Sequence, residues 1–482
     1  MLIILTVTLK AFEILFNVIW NVKAKPFLEN TKKDLQLAYF KRACNMNISK
    51  INNSHTGFLK KQIDICCDEG NILLNELMMA VNGFVVAITI FLIQVFTQSF
   101  FLFIICIIFI ILIVIYNIVI TKSNVIIQED YNNKYAKYNA TNVDFIENIK
   151  VVKNYDAFDY AESKINSKFD AVRKPLRKIC TYNSLRNDGV NALIYTMYSL
   201  LLISLFISMK NGNDIFSYLV FYTTIFHGLN TELRNVGSGF IHWSKFKSAN
   251  NQVEKILVEE EKQPKFKSFH NITLKDIEFK YNKNSKHSIK IPNFSINIKD
   301  KVSIMGESGQ GKSTFLFLFC RFYKIDNNKY LVNGKASNKT PDVAYISQET
   351  DLFDLSIREN LLLGKKISDE KLKEYLEAAG LLDWINSLEH GLDTIVGEKG
   401  IRISTGQKQR LNIIRGILLD KEIYILDEPT SNLDSFSEEK IYNMINKYLN
   451  DKTLILVTHR PKLKDICNKH YYFENKEMIL KD

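Results

Sequence analysis

From Leu77 to Ile120 the chain carries no charged residue. A run of that length cannot keep a soluble surface, so it reads as membrane-embedded. As a single helix it would reach ~66 Å, about twice the thickness of a bilayer core. Two helices joined at Thr97-Gln98-Ser99 fit instead. Two further uncharged runs, 190–209 and 215–231, make a second hairpin around Lys210-Asn-Gly-Asn-Asp214. Residues 2–20 supply a fifth span, where Lys10 and Glu13 lie i,i+3 on one helix face and can neutralise each other. That apolar N-terminus lacks a small-residue cleavage site and reads as a span rather than a removable signal.

The net charge of +11 would suggest a nucleic-acid partner in a soluble protein. Here topology explains it. The polar segments 21–76 and 121–188 hold nearly all the basic residues outside the C-terminal half, whereas the short hairpin loops hold only Lys210. Both segments are therefore expected on the side of the C-terminal half, as helices extending beyond the bilayer. The partners expected are a lipid bilayer and no nucleic acid. Cys44, Cys66, Cys67, Cys106, Cys180, Cys320 and Cys467 form no Cys-x-x-Cys pair and no His/Cys cluster, so free thiols in a reducing compartment are expected. Gln263-Pro-Lys-Phe-Lys marks a linker. From Phe269 onward, strand-like runs alternate with helical ones, the pattern of an α/β domain. The expected domains are residues 1–262 and 269–482.

In KVSIMGESGQGKSTFLFLFCRFY, a strand-like run ends at Met305, a glycine-rich loop follows, and an apolar helix begins. This is a P-loop in strand–loop–helix context, and it implies ATP. Backbone N–H groups across Gly306, Glu307, Ser308, Gly309, Gln310 and Gly311, with Thr314 just beyond, would curl around phosphate. Lys312 would reach the β/γ-phosphates, and the Ser313 hydroxyl would hold Mg²⁺. Downstream, Glu422-Ile-Tyr-Ile-Leu-Asp427-Glu428 is an apolar strand delivering two carboxylates, Asp427 for Mg²⁺ and Glu428 to polarise the attacking water. A second apolar strand, Thr453–Thr458, ends in His459, a γ-phosphate contact.

In this order the landmarks resemble the nucleotide-binding domain of ATP-binding-cassette transporters over about residues 269–482. By that resemblance Tyr281 in IEFKY stacks on adenine, Gln348 in AYISQETDLF senses Mg²⁺, and Ser431-Asn-Leu-Asp434 is the loop after Glu428. Thr394–Gly400 resembles a segment peculiar to exporters. GIRISTGQKQR then falls at the signature, where Ser404, Gly406 and Gln407 cap the γ-phosphate on a partner chain. Thr405 replaces a glycine there. Its Cβ is expected to penalise a left-handed backbone by ~1–2 kcal/mol and to tune that interface without abolishing it.

The resemblance implies a helical membrane domain of the type I exporter fold with five spans, followed by an α/β P-loop nucleotide-binding domain, working as a homodimeric ATPase coupled to export. FIENIKVVKNYDAFDYAESKINSKF and NSLRNDGVNALIY resemble mitochondrial half-transporters that export a glutathione-linked sulfur or iron–sulfur species. That implies a thiol or sulfur compound as small-molecule cargo. It places the protein in the inner membrane of a mitochondrion or reduced mitochondrion-like organelle, with the ATPase on the inner side. Those relatives have six spans, and this chain is expected to begin at their second. Asn187 and Asn191 match the family's polar cargo positions, but Asn124 and Gln128 stand where relatives carry arginines, which implies a less anionic cargo. A half-transporter for lipid, peptide or metal conjugates in another membrane shares every nucleotide motif. A soluble ATPase acting on DNA or ribosomes is disfavoured by the uncharged hairpin, and a gating-only channel by Glu428 and His459.

Overall fold

The computed structural model describes residues 11, 14–15, 18–46, 56–98, 100–208, 238–257, 264–266, 268–281, 288–397 and 400–481. The chain divides into two compact units, Met1–Glu260 and Glu261–Asp482.

The first unit is helical: α1 (Lys25–Cys44), α2 (Thr56–Gln98), α3 (Phe100–Glu147), α4 (Ile149–Asn154), α5 (Phe158–Ser208) and α6 (238–256). The uncharged 77–120 run is split between α2 and α3, which meet at the expected break. The apolar segment 190–208 is the end of α5, which begins in polar sequence at Phe158. The expected span at 215–231 and most of 2–20 lie outside the described residues. Among the described residues, the stretch 103–147 is long and apolar enough to cross a membrane, with mean hydropathy 3.4 over its most apolar 18 residues.

Where α3 meets α5, the buried stripe changes character. Cys106, Ile113, Val190, Ile194, Met197 and Leu201 form an apolar cluster. Further along α3 the buried positions become Asn117, Thr121, Asn124, Gln128 and Asn132. These amides and hydroxyls bond locally or across helices: Thr121 Oγ1 to Asn117 O at 2.7 Å, Gln128 Nε2 to Asn132 Oδ1 at 3.0 Å, and Asn132 Nδ2 to Ser248 Oγ on α6 at 3.1 Å. Close approach of α3 and α5 depends on Gly189, where a Cβ would lie 2.0 Å from Tyr116 Oη. A second tie joins α2 to α6, with Glu69 accepting from Lys245 Nζ at 3.2 Å and paired with His242 Nδ1 at 2.6 Å.

The second unit is built on β1 (Lys265–Phe266), β2 (Asn271–Phe279), β3 (Ile289–Asn297), β4 (Lys301–Gly306), β5 (Tyr330–Val332), β6 (Lys335–Ala336), β7 (Thr340–Pro341), β8 (Val343–Ile346), β9 (Ile423–Asp427), β10 (Thr453–Val457), β11 (Lys469–Glu474) and β12 (Glu477–Lys481). Ten strands form one sheet in the order β6-β5-β2-β3-β12-β11-β4-β10-β9-β8, with β4, β10, β9 and β8 parallel. Every residue of β9 and β10 is buried. Such strands must be apolar on both faces, and each face feeds a different core. Ile423, Ile425, Ile455 and Val457 pack with Phe294, Phe315 and Phe319, whereas Tyr424, Leu426, Leu454 and Leu456 pack with Ile414, Ile417 and Ile441.

Phe294 is fully buried, with its ring centroid 4.7 Å from that of Phe315 and 4.9 Å from that of Tyr471. Phe294→Ala is expected to cost about 3–5 kcal/mol of local stability, read as faster hydrogen exchange in β3 of the full chain. Unchanged protection of β3 would contradict this core assignment.

Candidate functional site

The parallel strands deliver their carboxyl ends to one edge of the sheet, the place where open α/β sheets bind ligands. After β4 comes the glycine loop. Gly309 has φ +78° and Gly311 φ +119°, a backbone that side-chain-bearing residues rarely adopt. A Cβ on Gly311 would also lie 2.7 Å from Ile289 Cδ1. Gly311 then caps α7 (Lys312–Phe319), so the loop ends at a helix N-terminus. Lys312 Nζ donates to Gly306 O at 2.6 Å and Glu307 O at 3.2 Å, and lies 3.0 Å from His459 Nε2. Burial holds the Lys312 ammonium below its usual range, and Glu428 and Asp427 oppose that shift.

β9 ends at Asp427, which is buried. Its Oδ2 accepts from Tyr345 Oη at 3.2 Å and from Ser313 Oγ at 3.4 Å. Burial raises the Asp427 carboxyl above its ordinary range; the Tyr345 bond offsets this in part, and the neighbouring Glu428 charge adds to it. A hydroxyl and a destabilised carboxylate converging beside the glycine loop make an oxygen donor set that gains from a hard cation such as Mg²⁺. Glu428 follows with φ +48°, and its N–H bonds Val457 O at 3.0 Å. Its carboxylate accepts from Gln348 Nε2 at 2.8 Å, and His459 Nε2 lies 3.7 Å away on the other side.

A cleft of about 290 Å³ is lined by Tyr281, Ser308, Gly309, Gly311, Lys312, Ser313, Thr314, Gln348 and Glu428, together with Phe279, Ile289 and Lys476, with Asp427 and His459 outside its lining. Tyr281 is 54% exposed, edge-on to Phe279 and Tyr323, with its hydroxyl 2.7 Å from Thr314 Oγ1. Gln310 accepts from Lys476 N at 2.9 Å. Gln348 sits against Glu428 rather than at the Ser313–Asp427 pair.

Ser404, Gly406 and Gln407 do not line this cleft. Of the helices α8 (Ile357–Leu362), α9 (Asp369–Ala378), α10 (Leu382–Ser387) and α11 (Thr405–Ile417), they open the last. Ser404 Oγ accepts from Gln407 N at 3.2 Å while Gln407 Oε1 accepts from Ser404 N at 2.8 Å, a reciprocal cap. Thr405 is therefore the first helical residue. It is exposed and is not among the residues of positive φ. The left-handed penalty expected for its Cβ does not arise, because the cap places that position in ordinary helical backbone.

Sequence reasoning missed Tyr345 and Gln409. Tyr345 lies three residues before Gln348 on β8, and a polar tip on an otherwise apolar strand was its signal. In the membrane unit, Asn187 is exposed and accepts from Arg186 Nη2 at 2.7 Å. Asn191 is half-buried, with its Oδ1 lacking a partner among the described residues. Asn124 and Gln128 are buried.

Gly311→Ala is expected to weaken ATP binding by about tenfold or more through clash and backbone strain; wild-type affinity by calorimetry would contradict it. Thr405→Gly is expected to leave ATP turnover within about twofold, since only first-turn helix propensity changes. A tenfold rise would restore Thr405 as a steric brake.

Residues 289–431 match the family model described as "ABC transporter", and residues 1–232 the one described as "ABC transporter transmembrane region". A putative export ATP-binding/permease protein of Rickettsia typhi is 39% identical over 199 residues, 39% of this chain and 34% of that protein. An ATP-dependent lipid A-core flippase of Vibrio vulnificus is 36% identical over 197 residues, again 39% of this chain and 34% of that protein. In these alignments the chain spans about a third of the length of the curated relatives. The solved structure of a bacterial Atm1-family ABC exporter with ATP bound superposes with TM-score 0.84 at 21% identity, covering 96% of this chain and 84% of that one, so the fold is shared. With a transmembrane region followed by an ATP-binding domain, both matched along one polypeptide, the chain belongs to the ABC transporters as a half-transporter.

Proposed function

We propose that the protein is an ATP-driven exporter, with ATP hydrolysed at the cleft between the glycine loop and the strand ends. The observation that carries this reading is the meeting of Lys312, Ser313, Asp427, Glu428, Gln348 and His459 at one edge of the sheet. Lys312, freed from its own loop carbonyls, would take the β/γ-phosphates. Ser313 and Asp427 would hold Mg²⁺, which supplies charge neutralisation on the phosphates when bound. Glu428, oriented by Gln348, would draw the proton from the attacking water, and His459 would contact the γ-phosphate. Tyr281 would stack on adenine.

The working unit we propose is a homodimer, because Ser404, Gly406 and Gln407 lie away from the cleft of their own chain. In a dimer they would close the partner's. For the cargo, the likeness of residues 183–195 to sulfur-exporting half-transporters supports a thiol or sulfur compound. It would be drawn from the ATPase side of an organelle's inner membrane and contacted by Asn187 and Asn191. The lipid A-core flippases among the relatives support a second reading, a lipid cargo. Stimulation of ATP hydrolysis in proteoliposomes by thiols but not by lipids decides for the first, and the reverse for the second.

Glu428→Gln is expected to bind ATP with wild-type affinity and hydrolyse it about 10²–10⁴-fold more slowly. A wild-type rate in phosphate release would remove Glu428 from the role of base. Ser404→Arg is expected to abolish turnover while leaving ATP binding to the cleft of a monomeric chain intact; full turnover would contradict the composite site.

A further inference from the structure

We propose that Gln409 is a positioning residue for Glu428, fixing the left-handed backbone that aims this carboxylate into the cleft. The proposal rests on the ATPase reading above. Glu428 has φ +48°, a conformation that a side-chain-bearing residue keeps only where its surroundings impose it. One constraint is the bond from its N–H to Val457 O. The other acts on its carbonyl, which accepts from Ser431 N at 3.3 Å and from Gln409 Nε2 at 2.9 Å. Among the described residues, no other side chain bonds that carbonyl.

Gln409 is only 2% exposed, so water cannot replace what its amide provides. Its Nε2 also reaches Ser431 Oγ at 3.4 Å, and its Oε1 accepts from Asn432 N at 3.3 Å. One buried amide thus clamps the turn from Glu428 to Asn432. The clamp is anchored on α11, one turn after the Ser404 cap. Helix and turn are in contact there, since a Cβ on Gly406 would lie 3.2 Å from Asn432 O. Without the Gln409 donor, the Glu428 peptide is free to relax toward ordinary backbone, which carries the carboxylate away from Gln348 and His459. The same link transmits any displacement of α11 to Glu428.

The test compares full-length protein in lipid carrying Gln409→Met, Gln409→Glu, Glu428→Gln, or Gln409→Met with Glu428→Gln. Methionine keeps the length and removes the donor; glutamate keeps an acceptor for Asn432 N–H and removes the donor. Gln409→Met is expected to bind ATP within about twofold of wild type yet hydrolyse it about tenfold more slowly. The double variant is expected to be no slower than Glu428→Gln alone, because a positioning residue has no effect once its target is gone. Gln409→Glu gives the same split should the methionine variant misfold. A wild-type rate in Gln409→Met, losses that multiply in the double variant, or loss of ATP binding in both single Gln409 variants each overturn the proposal. Wild-type protein that binds ATP without turnover would instead overturn the ATPase reading, and the clamp with it.

Discussion

β10 lies in parallel register between β4 and β9, with Val457 opposite Ile304 on one side and Asp427 on the other. That register decides where the chemistry can be. It brings the glycine loop after β4, the carboxylates at the end of β9 and His459 after β10 to one edge of the sheet, and β8 adds Gln348 beside them. The bond from Glu428 N to Val457 O extends the pairing one residue past β9 and turns the chain into its left-handed conformation. A one-residue slip would exchange the two faces of strands that feed separate cores, so the fully buried pattern of β9 and β10 also locks the site.

Much of this edge was legible along the chain. Apolar runs immediately before Asp427 and His459 announce buried strands, and glycines between a strand and an apolar helix announce a phosphate loop. Those signals are local, each contained in about a dozen residues. Tyr345 and Gln409 were not found because their contacts, to Asp427 and to the Glu428 turn, exist only after the sheet and α11 assemble. Thr405 is a different case. Its helical backbone was readable, since Ser-x-x-Gln is a capping pattern, but the glycine it replaces suggested a left-handed residue instead.

Asn124 and Gln128 stand where the family resemblance implies cargo-binding arginines, yet both are buried within the helix bundle, and Gln128 bonds Asn132 one turn along α3. That bond stays within α3, whereas Asn132 Nδ2 bonds Ser248 Oγ and ties α3 to α6. Asn187 is exposed on α5.

The central claim is that the strand ends form a hydrolytic ATP site rather than a binding-only one. Trapping with vanadate and labelled ATP, using the purified full-length chain in liposomes, tests it most directly. The account predicts nucleotide retained after washing only when vanadate, Mg²⁺ and turnover-permissive temperature are combined. Retention that is the same without vanadate, or with incubation on ice, would contradict it.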